Sequence, residues 1–190
     1  MAGIKRHEAL QELSRHHHHA LVVAMNLKRA QIEDVTKLRQ EVIQFWDDSG
    51  NHHFREEEDV LLPTYAKYKD LQDDENVIRM LIEHVQIRML VQTIRDGMGD
   101  EGEVRDDAER ADRGLKSRDQ ADTNGDHGTQ TAPTPVPKPS VDNISLNTFH
   151  KLGGLLKGHV QLEEQVIFTQ IQETVPEPDL FAIQHFFHEM

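Results

Sequence analysis

Two segments of the chain repeat one pattern of histidine and glutamate, and each continues into bulky apolar residues. The segments are His53-x-x-x-Glu57-Glu58 and His159-x-x-x-Glu163-Glu164. On an α-helix a spacing of four places the imidazole and the first carboxylate on the same face, about one turn apart. Both side chains of each pair can therefore reach one metal ion or a bridged pair of ions. The second glutamate, five residues from the histidine, is turned away from that face and is predicted to support the site or to lie on the surface.

Position on a helix face indicates which other histidines point inward. His17 lies four residues after Leu13 and seven before Ala24, and His84 lies four after Met80 and three before Ile87. Since residues at these spacings share a face, His17 and His84 are predicted to point inward with the apolar side chains. The rest of the histidine run is predicted to fan out toward the flanks, namely His16, His18 and His19.

The same reasoning chooses between two adjacent histidines in the second segment. An inward His53 places Glu57 on the buried face, whereas an inward His52 would place Glu56 and Asp59 there. The second choice buries an additional charge without a partner, which is costly. We therefore predict that His53 points inward.

The elements that must position these side chains are helices. Apolar residues recur every three or four positions on both sides of a polar segment, and no segment alternates as a strand does. The pattern predicts long amphipathic helices over about 8–31, 34–68, 73–96 and 145–173, and a short fifth helix from Pro178 that covers one end. The predicted inward stripes include Leu21, Val60, Leu155 and Val166. Short connections predict antiparallel neighbours, so the expected fold class is an all-α antiparallel four-helix bundle.

One patch inside the second helix has the composition of a turn. It reads Asp47-Asp48-Ser49-Gly50-Asn51. The apolar period stays in phase across the patch, and we therefore predict one continuous helix, kinked at this point.

The chain divides into three parts within a single domain. Residues 1–95 hold the first three helices, residues 96–142 form an acidic segment rich in glycine and proline, and residues 143–190 hold the fourth helix and the short C-terminal helix. The middle part has no aromatic residue and too little apolar surface to offset its ordering entropy, so a long disordered linker is predicted.

Composition excludes several classes of function. None of the 190 residues is cysteine, which excludes disulfide frameworks, thiolate zinc sites and Fe–S clusters. The net charge of −13 repels phosphate backbones, so no nucleic-acid partner is expected. No apolar run is long enough to cross a bilayer and no signal segment precedes the first helix, so no membrane partner and a cytoplasmic location are predicted.

The predicted inward residues form a candidate metal centre. With a rise of about 1.5 Å per residue, their depths along the helices agree to within a turn or so. Four imidazoles and two carboxylates in an apolar core are costly unless a cation satisfies them. Nitrogen and oxygen donors without sulfur suit iron, manganese or zinc, and two carboxylates able to bridge suit a dinuclear site. The predicted metal ligands are His17, His53, Glu57, His84, His159 and Glu163.

The order of these motifs along four helices resembles the hemerythrin-like (HHE) cation-binding family. The resemblance implies a four-helix bundle around a non-haem centre of two iron ions per chain, bridged by Glu57 and Glu163. It also implies that His17 and His53 serve mainly one metal and that His84 and His159 serve the other. The implied partner is a small diatomic ligand, oxygen or nitric oxide, or peroxide, and iron sensing or handling is a further family function.

The chain departs from the oxygen-carrying members of that family at one ligand. Those proteins carry a second histidine four residues from the one on the third helix, whereas the positions four before and four after His84 are Met80 and Arg88. Water, a nearby carboxylate such as Glu58, or no ligand could take the missing place.

Three classes of function remain open at this stage. A binding or sensing module predicts spectral change on ligand binding without turnover. An oxidoreductase acting on peroxide or nitric oxide predicts turnover with a reductant. A metal-free structural bundle, in which the polar side chains only hydrogen-bond to one another, predicts neither.

Overall fold

The computed structural model describes residues 5–97 and 145–187, and this part of the chain is helical without a strand. The predicted linker 96–142 lies almost wholly outside the described residues, so its disorder stays a prediction. The α-helices are α1 (Gln11–Lys28), α2 (Val35–Phe45), α3 (Asn51–Glu56), α4 (Leu62–Tyr65), α5 (Glu75–Asp96), α6 (Leu146–Leu162), α7 (Phe168–Thr174) and α8 (Glu177–Phe187).

Three π-helical turns join some of these helices end to end. They span Trp46–Gly50, Glu57–Leu61 and Glu163–Ile167. As a result α2 to α4 form one continuous helix, and so do α6 and α7. The continuity predicted through the patch at 47–51 is confirmed, and the irregularity there is the first π turn.

Local capping explains where the long helices begin and end. The Asp74 carboxylate accepts hydrogen bonds from the backbone N–H groups of Asn76 and Val77 and starts α5. That helix ends at Gly97, whose φ of 71° lies in the left-handed region that glycine adopts without strain. The hydroxyl of Ser145 accepts from the N–H of Asn147 and starts α6.

The helices contact one another in a closed series. Helix α1 packs against α6 and α2, and α5 packs against α2 and α6. Among the described helices, none combines the length and the apolar composition that a bilayer crossing requires.

Two apolar clusters fill the interior, with a polar layer between them. One cluster holds Ala20 and Ile87, and the other holds Leu13 and Met80. His17 lies between Leu13 and Ala20 in the sequence of α1, and His84 lies likewise between Met80 and Ile87 in α5. Helix α8 buries Leu180 and Ile183 in the second cluster, so the short final helix covers that end as predicted.

Parts of the predicted inward stripes are wrong. Leu21 is 38% exposed, because α1 turns the face with Ala20 and Val23 inward. Val60 and Val166 are only partly buried, while their neighbours Leu61 and Ile167 are fully buried. The reason is the π turns at Glu57–Leu61 and Glu163–Ile167. Their i→i+5 hydrogen bonds add about one residue to the turn, so the inward face moves one position toward the C-terminus relative to an α-helix. On α6, Leu155 is partly buried and Leu156 takes the core position.

Candidate metal centre

The six residues predicted as ligands lie in one buried layer. Helix α1 supplies one of them, α5 another, and each of the two continuous helices supplies a histidine and a glutamate. Each glutamate is the first residue of a π turn. All six side chains are buried: His17, His53, Glu57, His84, His159 and Glu163.

The layer contains two donor clusters that share both carboxylates. Within each cluster the donor atoms lie within 4.8 Å of one another. One consists of His17, His53, Glu57 and Glu163, and the other of His84, His159, Glu57 and Glu163. The structure therefore brings the six residues together and groups the histidines in the pairs that the family resemblance implied.

In all four histidines the Nε2 atom faces the shared carboxylates. The Nε2 atoms of His17 and His53 are also only 2.9 Å apart. From Nε2 to the nearest oxygen of Glu163 the distance is 2.9 Å for His17, 2.8 Å for His159 and 3.4 Å for His84. From Nε2 to an oxygen of Glu57 it is 3.4 Å for His53 and 3.3 Å for His84.

An outer set of carboxylates holds the opposite nitrogen of three of these rings. The Nδ1 of His17 lies 2.7 Å from Glu164 and that of His84 lies 2.6 Å from Glu58. The Nδ1 of His159 lies 3.2 Å from a third carboxylate, that of Glu83. When Nδ1 carries the ring proton and donates a hydrogen bond to such a carboxylate, the Nε2 lone pair is free to bind a cation.

Each of these outer carboxylates is in turn held by an arginine. The Arg6 guanidinium donates to Glu164 at 2.7 Å, and that of Arg79 donates to Glu83 at 2.9 Å. Arg88 donates to both oxygens of Glu58, at 2.8 and 2.9 Å. Arg88 occupies one of the two positions where the oxygen-carrying members have a further histidine, and here it holds Glu58. Met80, at the other position, is fully buried in an apolar cluster.

The carboxylates also determine the charge of the rings. Burial alone would lower the pKa of His17, but the Glu163 and Glu164 carboxylates outweigh it and raise the pKa to about 10. Burial also tends to lower the pKa of His84 and of His159. Nearby carboxylates, Glu163 above all, outweigh it and raise the pKa of His84 to about 11 and that of His159 to about 9. In the absence of a cation, three protonated imidazoles thus balance the carboxylates.

The remaining ring and the shared carboxylates behave differently. Burial, followed by the charge on His17, lowers the pKa of His53 well below its ordinary value. Burial and the neighbouring Glu163 raise the pKa of Glu57 to about 7. Burial opposes ionisation of Glu163, yet His159 and His17 hold its pKa well below the ordinary range. The centre is thus a strongly interacting set of charges in an apolar core.

Several polar atoms of the centre lack a hydrogen bond among the described residues. They include both carboxylate oxygens of Glu57, one oxygen of Glu163 and the Nε2 of His159. Each of these atoms lies 2.8–3.4 Å from a partner in the centre without the geometry of a hydrogen bond, so the contact offsets little of the hydration lost on burial. A cation between the two carboxylates would satisfy them, so the donor set fits a metal centre.

A small cavity adjoins the centre. It measures about 20 Å³, enough for one water-sized molecule, and its walls include Trp46, Phe54 and Leu156 beside His53 and His159. Phe54 also stacks on the His84 ring, with centroids 3.7 Å apart. The aromatic side chains therefore both fill the core and limit access to the centre.

Sequence reasoning missed two carboxylates near the centre. Glu83 directly precedes His84 and belongs to an i,i+4 pair with Arg79, a pattern that usually marks a surface. Glu56 is 1% exposed, although the choice of His53 over His52 assumed that Glu56 would stay out of the core. The orientation predicted for His53 is correct, but the assumption about Glu56 is wrong.

Comparison with known proteins gives one match. Neither a curated protein nor a solved structure matches the chain. The family model described as the hemerythrin HHE cation-binding domain matches residues 9–171. The match spans most of the chain and includes all six residues of the buried layer. The chain belongs to the hemerythrin family of HHE cation-binding domains.

Proposed function

We propose that this protein holds a dinuclear non-haem iron centre and binds a small ligand there: oxygen, nitric oxide or peroxide. The observation that carries the proposal is the pair of donor clusters that share Glu57 and Glu163. Two carboxylates placed between two pairs of imidazoles are suited to bridging two ions. The proposal includes an antiparallel four-helix arrangement around the centre, which the closed series of helix contacts supports.

The donor chemistry supports iron. Imidazole nitrogen and carboxylate oxygen suit iron, and they also accept zinc and manganese. Under this proposal His17 and His53 would hold one ion, His84 and His159 would hold the other, and Glu57 and Glu163 would serve both. Four imidazoles and two carboxylates provide fewer donors than two six-coordinate ions require, so coordination positions stay open for an added ligand.

The protein's own residues prepare the centre for that ligand. Bound iron would supply a redox-active Lewis acid with open coordination positions. Glu164, Glu58 and Glu83 orient their imidazoles by accepting a hydrogen bond from the Nδ1–H group. Trp46 and Phe54 line a cavity that admits only a very small molecule, which supports a diatomic ligand.

The test is to count metal and to probe for open positions in chain purified without a histidine tag. Iron-loaded wild type should contain two iron ions per chain and gain a charge-transfer band when azide is added. Glu57→Gln and Glu163→Gln keep the side-chain shape but remove the bridging charge, so each should lose at least one ion. Asp59→Asn, an exposed position on the same helix, is the matched control.

Equal iron content in the control and in both glutamine variants would contradict the assignment of the bridging residues. An iron-loaded wild type that gains no band with azide would contradict the open coordination positions. Full loading with zinc or manganese, together with no loading by iron, would contradict the choice of metal but not the assignment of the ligands.

A further inference from the structure

Next to the proposed centre, a second group of donors lies toward the surface. The Glu56 carboxylate faces three imidazoles: its oxygens lie 3.4 Å from His16 Nδ1, 3.4 Å from His52 Nε2 and 4.0 Å from His53 Nδ1. The donor atoms of His16, His53 and Glu56 lie within 4.8 Å of one another. We infer that Glu56, His16 and the outward nitrogen of His53 form a third, outer binding site for a divalent cation, with His52 beside it.

The first support is a difference from the other outer carboxylates. Glu58, Glu83 and Glu164 each pair with an arginine. Within the described residues, Glu56 has no ion pair with lysine or arginine, although it is 1% exposed and therefore more buried than those three. Glu56 has two histidines beside it, His16 and His52, in place of an arginine. A buried carboxylate requires a countercharge, and two imidazoles beside it provide the donors for a metal ion.

The second support is the lack of hydrogen bonds in this group. His16 Nδ1, His53 Nδ1 and Glu56 Oε2 are buried atoms without a hydrogen-bond partner among the described residues. Three such atoms from two helices face one small volume. A cation there would satisfy them together.

The third support is the spacing of the donors. Metal–ligand distances of about 2.0–2.2 Å place neighbouring donors of a tetrahedral site about 3.4 Å apart. The separation of 3.4 Å from Glu56 Oε2 to His16 Nδ1 matches that spacing, and it is longer than an ordinary hydrogen bond between nitrogen and oxygen. This distance fits two donors around an ion better than two groups bonded to each other.

The outer site is open to solvent, unlike the inner centre. The side chains of His16 and His52 are 27% and 40% exposed, so an ion can reach them directly from water. His53 links the two sites, since its Nδ1 faces Glu56 and its Nε2 faces Glu57. The donor set of two imidazoles and one carboxylate, with room for water, suits zinc. The existence of the outer site does not depend on the proposed function of the inner centre.

The test is equilibrium dialysis of the full-length, untagged chain against zinc, with zinc counted per chain. The double variant His16→Ala/His52→Ala should bind one zinc ion fewer than wild type, and so should Glu56→Gln. His18→Ala is the matched control, because His18 is exposed in the same histidine run and should leave the count unchanged. Circular dichroism checks that each variant keeps its helix content.

Variants of the inner centre distinguish zinc bound at the outer site from zinc bound at the inner one. In Glu57→Gln/Glu163→Gln, adding His16→Ala/His52→Ala should still remove one zinc ion, whatever the inner centre holds. If the double variant and Glu56→Gln bind as much zinc as wild type in both backgrounds, the outer site does not exist. If His16→Ala loses zinc while Glu56→Gln keeps it, the histidine run alone binds the ion and the assignment across two helices is overturned.

Discussion

At the scale of single residues, the centre depends on a chain of contacts from arginine to carboxylate to imidazole. Arg88 fixes Glu58, which lies 2.6 Å from the Nδ1 of His84, and Arg6 fixes Glu164 next to His17. These contacts lower the pKa of Glu58 to about 2, against the effect of its partial burial. A carboxylate held in its charged form keeps the ring oriented and its inner nitrogen available.

Removing one of these carboxylates should therefore weaken metal binding without removing a ligand. We expect Glu58→Ala to lower metal affinity by about 10- to 100-fold while saturating metal still gives the wild-type stoichiometry. Competition with a chromophoric chelator measures the affinity. Asp59→Ala, the exposed neighbour, is the control and should bind like wild type. An unchanged affinity in Glu58→Ala would show that His84 is oriented by packing on Phe54 instead.

At the scale of helices, a close contact between α1 and α6 sets the width of the layer. A Cβ atom added to Gly153 would lie 2.7 Å from the backbone oxygen of Ala24 and 2.9 Å from the Cβ of Leu27. Neither atom belongs to a flexible side-chain end that could move aside. The adjacent Gly154 has no such neighbour within 4 Å.

These two glycines give a matched pair for a stability experiment. Gly153→Ala should destabilise the protein by about 1–3 kcal/mol, because the added methyl group forces the two helices apart. Gly154→Ala should be neutral or stabilising by up to about 1 kcal/mol, because alanine favours the helix. Urea denaturation of both variants measures the difference. Equal stabilities for the two would mean that the helices separate without cost.

At the scale of the whole molecule, protons and the proposed metal ions would compete for the same imidazoles. In the metal-free protein the folded-state pKa values of His17, His84 and His159 are about 10, 11 and 9, above the ordinary 6.5. A raised pKa in the folded state adds stability that is complete below pH 6.5 and is lost as the pH rises through the folded value. In a metal-loaded protein the Nε2 atoms of the same rings would be unprotonated, so acid would remove the metal.

The two forms should therefore respond to pH in opposite directions. Metal-free protein should lose stability steadily as the pH rises from 6.5 toward 9 and above. Metal-loaded protein should instead lose stability as the pH falls below neutral, as protons displace the metal. Thermal unfolding of both forms across this range is the measurement. Parallel pH profiles would show that the imidazoles do not bind the metal.

The sequence by itself determined the helices and the choice of inward histidine on each. The predicted bounds of the four long helices agree with the structure to within about three residues at each end of the described part, because periodicity and capping act locally along the chain. His17, His53, His84 and His159 are buried for the same reason: each shares a face with apolar residues of its own helix. Their role as metal ligands stays a prediction.

Only the tertiary structure decided which carboxylates surround those rings. The π turns at Glu57 and Glu163 shift the buried face by one residue, and a period of 3.6 residues does not reveal them. Glu83 contacts a ring on α6, and Glu56 contacts one on α1. Such contacts join residues far apart in the chain. The packing of one helix against another therefore decides which ring each carboxylate contacts, and this choice leaves no periodic signal in the sequence.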